Sequence, residues 1–171
     1  MALRLKIIFG LAAAAITPGL LCPQPAWTAV VDKPLVAAER ADLSAGAKKL
    51  VLTGLQNSAD DFSDLRGRVV NDDTVAVNEA FGTVLRDCVI TGSNTEGYFV
   101  LACSTPMRSD PKRETLELIR SAIADTLPTD FVQKVKADVD YTWESGAADI
   151  QIGHETSGHD TSYTVYIFHF D

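Results

Sequence analysis

The 171-residue chain encodes an α+β fold, a two-layer sandwich with two helices on one face of an antiparallel sheet of about five strands, in the order α-β-β-α-β-β-β. Three patterns predict it. Apolar residues recur at helical spacing over 43–55 and again over 116–127. Residues 134–144 alternate strictly between apolar and polar. The turn-rich stretch 92–97 separates two β-rich runs, each carrying one cysteine.

Ahead of these elements, Arg4 and Lys6 introduce an uncharged apolar run from Ile7 to Ile16, broken by Thr17, Pro18 and Gly19. A membrane span needs about 20 consecutive apolar residues; this run is about half that length and is followed by Pro23 and Pro25. The pattern predicts a cleaved signal peptide over residues 1–29, cut somewhere between 19 and 29, and a single secreted or periplasmic domain over 30–171. Cys22 follows Leu20 and Leu21 rather than a small residue, which disfavours a lipid anchor there.

The first helix follows Pro34, with Leu43, Ala47, Leu50, Val51, Gly54 and Leu55 forming one stripe and Lys48, Lys49 and Gln56 falling outside it. It is expected to fray near Asn57 and Ser58. A short turn over 60–65 ends at Gly67, and residues 68–80 combine a loop at Asn71, Asp72 and Asp73 with an extended piece at Val75 and Val77. Strands are predicted over Thr83–Thr91 and Tyr98–Thr105. Asp110 offers an N-cap with Pro111 at the first helical position, and Leu116, Ile119, Ile123 and Leu127 define a helix stopped by Pro128. Val135, Ala137, Val139, Tyr141 and Trp143 predict one half-exposed strand. Ala148, Ile150, Ile152 and His154 predict another, and Glu155–Asp160 a polar turn into Tyr163–Phe170.

In an antiparallel hairpin, facing residues have numbers with a constant total. If Cys88 faces Cys103, that total is 191, and Ile90 then faces Leu101 and Gly92 faces Phe99. Val84, Cys88, Ile90, Phe99, Leu101 and Cys103 then share one apolar face. The register that permits a disulfide is also the one that makes a core. Closing a loop of about 16 residues would stabilise the fold by about 3 kcal/mol. No Cys-x-x-Cys or basic neighbour marks a reactive thiol.

The chain has 15 basic and 23 acidic residues, a net charge of −8. Loss of residues 1–29 removes only Arg4 and Lys6, leaving 13 against 23, or −10. That balance disfavours nucleic acid and anionic lipid and suits a cationic protein partner. No oligomeric state is predicted.

Candidate chemistry is sparse, and no cofactor is expected. His154, His159 and Asp160 crowd one turn, with Glu155 beside them, and could hold a metal; but the histidines lack the i, i+4 spacing of a His-Glu-x-x-His helix. Asp60, Asp61, Asp64, Asp72 and Asp73 lack the spacing of a calcium loop. Gly92-Ser93-Asn94 is not a nucleophile elbow. There is no glycine-rich phosphate loop.

The last strand is apolar on both faces, with Tyr163, Val165 and Ile167 on one and Tyr166, Phe168 and Phe170 on the other. Either the N-terminal segment covers the second face, or Tyr166, Phe168 and Phe170, with Tyr98, form a binding surface. The expected function is therefore an exported, acidic, non-enzymatic binding domain such as an inhibitor, an immunity-type protein or an envelope accessory factor. The alternatives are a small metal-dependent hydrolase built on the His154/His159/Asp160 turn, and a carrier of a small ligand or lipid lined by the terminal aromatics.

Overall fold

The computed structural model describes residues 34–93, 97–136, 139–146 and 148–170, with the side chains of Ser93 and Phe170 left out. The expected signal peptide therefore lies outside the described residues. Among the described residues, two helices and a nine-stranded, wholly antiparallel sheet make up the fold.

Helix α1 spans Ala37–Asn57 and buries Leu43, Gly46, Ala47, Leu50, Val51 and Gly54, the stripe read from the sequence. Its first turn is closed by Glu39, which accepts the Val36 N–H at 3.0 Å. Two 3-10 turns, Ser58–Asp60 and Ser63–Leu65, follow it. Between them Asp61 and Phe62 both take left-handed backbone angles, and the complete burial of Phe62 holds that conformation.

Strands β1 (Arg66–Asn71), β2 (Thr74–Val77), β3 (Arg86–Ser93) and β4 (Tyr98–Ser104) form a meander. A two-residue strand β5 (Arg108–Ser109) leads to helix α2 (Glu114–Ala124), which carries the chain to the far edge of the sheet. There β6 (Val132–Lys134), β7 (Tyr141–Glu144), β8 (Ala148–Ser157) and β9 (Asp160–Phe170) form a second meander. The order across the sheet is β1-β2-β3-β4-β9-β8-β7-β6, so β9 joins the two meanders at its pairing with β4. β5 also pairs with β9.

Both helices lie on one face of the sheet. Ile90, Phe99, Leu101, Cys103, Tyr163, Val165, Ile167, Ile150, Ile152 and Trp143 meet the apolar stripes of α1 and α2 in one core. Fully burying each such aliphatic chain stabilises by about 1.5–3 kcal/mol. The close approach of α1 depends on its glycines. A Cβ at Gly46 would sit 1.9 Å from the carbonyl oxygen of Phe81, and one at Gly54 would sit 2.3 Å from Cδ1 of Ile167.

The β3–β4 hairpin has the register derived above, with Ile90 opposite Leu101 and Gly92 opposite Phe99. Cys88 and Cys103 are joined by a disulfide (Sγ–Sγ 2.03 Å). A bulge at Asp87, which has a positive φ of 53°, then shifts the register so that Arg86 faces Ser104.

Three expectations are corrected. The sheet has nine strands among the described residues rather than five: the extended piece at Val75 and Val77 is strand β2, and β1, β5 and β6 are short or exposed and leave no apolar alternation. The alternating stretch 135–143 is not one strand. Val132–Lys134 pairs with Thr142–Glu144 as the two arms of a hairpin, and Val135 between them is 99% exposed. The polar turn shrinks to Gly158 and His159, since Glu155, Thr156, Ser157 and Asp160 all take part in the β8–β9 ladder. Polar side chains do not prevent a ladder, whose bonds are made by the backbone.

Helix α2 also begins later than expected. Asp110 still caps it, its two carboxylate oxygens accepting the N–H groups of Glu114 at 2.8 Å and Thr115 at 3.0 Å. Pro111, Lys112 and Arg113 form the turn in between, with Arg113 at a φ of 56°.

Candidate functional site

The helices pack on one face of the sheet; on the other, Val100 and Thr142 are buried and Tyr166 and Phe168 are half-buried. Strand alternation places Tyr98, Val100 and Ala102 of β4 on this second face, beside Tyr166 and Phe168 of β9. Ala102 pairs with Tyr166, Val100 with Phe168 and Tyr98 with Phe170. Tyr98, Tyr166 and Phe168, singled out from the sequence, therefore lie together along one stripe. The side chain of Phe170 lies outside the described residues.

The Tyr166 and Phe168 rings sit 6.1 Å apart, and both residues are half-buried. The floor under Tyr166 is shaped by Gly153 on β8, where a Cβ would come 3.3 Å from Cε2 of the ring. A strand glycine of this kind makes room for a neighbouring aromatic side chain.

Beside Tyr166 the face dips into a hollow of about 380 Å³. Val89, Ala102, Met107 and Tyr166 supply its apolar surface, and the carboxylates of Asp87 and Glu155 belong to its lining. Four of the hydroxyls in the hollow are engaged, that of Thr105 by the Tyr163 N–H at 3.0 Å. Ser104 Oγ and Thr164 Oγ1 bond each other at 2.9 Å, and Ser162 Oγ donates to the Thr105 carbonyl at 2.6 Å. Asp87 has the Arg86 Nε at 3.4 Å, whereas Glu155 has no ion pair among the described residues.

At the other end of the stripe, Lys136 Nζ lies 2.8 Å from Glu144 and 3.4 Å from Asp149. Burial pushes the Asp149 carboxyl above its ordinary pKa; Lys136 opposes that shift.

The residues of the expected metal site lie apart. His154 precedes the hairpin tip on β8, His159 is in the tip itself, and Asp160 faces Ser157 as the first residue of β9. Among the described residues, no three His, Cys, Asp or Glu side chains gather so as to hold a metal ion.

His154 instead presents Nδ1 to Asp140 Oδ2 at 2.7 Å. Asp140, with its side chain only 6% exposed, also accepts a hydrogen bond from Arg113. Tyr163 completes this cluster between Asp110 and Arg113. Burial first, and the Asp110 charge second, push its phenol pKa up to about 12. The cluster ties the β8–β9 hairpin to the start of α2.

The hollow and the Asp110–Arg113–Asp140–His154–Tyr163 cluster were both missed in the sequence. Gly153, a glycine inside a strand, was the one local signal for the first, and Asp110 as an N-cap the one for the second.

The fold is a two-layer α+β domain whose two described helices pack on one face of the sheet. Comparison of the chain with family models, curated proteins and solved structures returned no match. Among the described residues, no helix is long and apolar enough to cross a membrane.

Proposed function

We propose that this chain is an exported, acidic, non-enzymatic binding domain whose protein partner seats on the face of the sheet opposite the helices. The supporting observation is the half-buried stripe of Tyr98, Ala102, Tyr166 and Phe168 on that face, with Val100 buried between them. Aromatic side chains held in place by a sheet present a large contact area at little cost in conformational entropy. The disulfide fits an oxidising compartment, and the net charge of −8 favours a cationic partner.

The test is Phe168→Asp, compared with Val69→Asp on the exposed edge strand β1, where Val69 is 68% exposed. A partner recovered from the exported fraction should be retained by Val69→Asp and lost by Phe168→Asp, with the urea midpoints of both close to wild type. A Phe168→Asp protein that unfolds would mean the face is core covered by another segment. One that keeps its partner would place binding elsewhere. N-terminal sequencing of the exported protein should find a first residue between 20 and 30.

A further inference from the structure

We infer that the hollow beside Tyr166 receives a lysine or arginine side chain from a basic segment of the partner, with an apolar residue two positions away lying on Phe168. This rests on the face opposite the helices being the partner surface and names the chemistry of what docks there. The hydroxyls of Ser104, Thr164, Ser162 and Thr105 already bond one another or the backbone, which leaves the Tyr166 hydroxyl and the two acidic residues to meet a ligand. What is left is negative charge over an apolar and aromatic surface. Glu155 has no ion pair among the described residues, and Asp87 has only the Arg86 Nε at 3.4 Å.

An anion would be repelled there, and a lipid chain would desolvate two carboxylates without pairing them. A lysine or arginine meets both demands. Its methylene stem packs on Val89, Ala102 and Met107, and its charged tip turns towards Glu155 beside the Tyr166 ring. The ring lies over Gly153, where a Cβ would come within 3.3 Å of it.

The spacing favours a peptide over a free amine. Tyr166 and Phe168 are 6.1 Å apart, close to the rise of about 6.6 Å over two residues of an extended chain. A segment running along β9 with a basic residue at Tyr166 would therefore place its residue two positions on over Phe168. The other cation on that part of the face, Lys136, is already held by Glu144 and Asp149, which leaves the apolar contact free of a repelling charge.

The test uses the full disulfide-bonded chain and capped five-residue peptides of the form Gly-Arg-Thr-Leu-Gly, with Glu or Ser replacing Arg and Ser replacing Leu, followed by two-dimensional NMR. The Arg-Leu peptide should shift the resonances of Val89, Glu155, Tyr166 and Phe168. Its affinity should fall about three-fold in Glu155→Gln, further in Glu155→Lys, and with added salt. Each single peptide replacement should weaken binding.

Several results overturn the inference: no binding at millimolar peptide, shifts located elsewhere, or an affinity unchanged in Glu155→Lys. Arginine amide alone binding as tightly as the peptide would make the hollow a small-amine site and overturn it too. If the partner still depends on Phe168 while these peptides fail, the face opposite the helices remains the partner surface and only the basic side chain is refuted.

Discussion

Replacing Gly46 by alanine is expected to destabilise the domain by about 3 kcal/mol, although alanine is the better helix former by about 1 kcal/mol. The added Cβ would lie 1.9 Å from the Phe81 carbonyl oxygen and 3.1 Å from its carbon. That oxygen is backbone, and its neighbours are pinned. Lys49 Nζ donates to the Ala80 carbonyl at 2.8 Å, and Asp42 accepts the N–H groups of Thr83 and Val84 at 2.8 and 3.0 Å. Phe81 itself is fully buried. Relief requires α1 and the 80–85 segment to part by roughly 1 Å, which loosens Phe81, Leu85 and the bonds to Asp42.

Overpacking of this kind costs about 1–3 kcal/mol, and weakened hydrogen bonds to a charged group about 1.5–3 kcal/mol. Subtracting the helix-propensity gain leaves about 3 kcal/mol. Urea unfolding followed by far-ultraviolet circular dichroism should show the midpoint fall by about 1.5 M at unchanged slope. Gly54→Ala is the control, because its Cβ meets the end of the Ile167 side chain, which can rotate away, and its loss should be smaller. A Gly46→Ala midpoint at or above wild type would refute the reasoning.

Three further outcomes are expected. Converting both Cys88 and Cys103 to alanine should lower stability by about 3 kcal/mol, read as a lower urea midpoint that reducing agent no longer changes; an unaltered midpoint would show that the crosslink constrains nothing. Asp110→Ala removes the cap of α2 and should cost about 1–2 kcal/mol, with amide exchange accelerating first at Glu114 and Thr115. Stability should also fall in acid. Glu39 is held below its ordinary pKa chiefly by its bond from Arg108, Asp42 by the Val84 and Thr83 N–H groups, and Glu117 by the Tyr141 hydroxyl. All three bind a proton less tightly folded than unfolded, so their contribution is full above the unfolded value and lost as pH falls through the folded one. Asp149, raised by burial, works in the opposite sense, so Asp149→Asn should make the acid loss steeper in a series of thermal melts.

The elements legible in the sequence are those whose formation is driven by burial. The stripes of α1 and α2 match buried positions because one helical face meets the core, and the 191 register followed from packing one face of a hairpin. Strand β1 was not legible, since all six of its residues are exposed and it is held by its ladder to β2. The stretch 135–143 misled for a related reason. A two-residue period is shared by a strand and by a hairpin that turns within it.

The same division applies to the candidate site. Tyr166 and Phe168 could be read as a second apolar face of one strand, and Tyr98 followed as a neighbour. Asp87, Met107 and Glu155 could not, because only the pairing of β4 with β9 and of β9 with β8 brings them to one hollow. A cross-sheet pairing between distant segments leaves no local periodicity to find.

The position of β9 has a consequence for how the molecule is made. Of the nine strands it is the last to be synthesised, yet it is the seam on which both meanders close. Until it arrives, β4 and β8 are each left with an unpaired edge, and Leu101 and Ile150 lack the Ile167 that lies between them. Assembly of the core therefore waits for the final hairpin, and nascent chains cut short before residue 160 would be two half-sheets with adhesive edges.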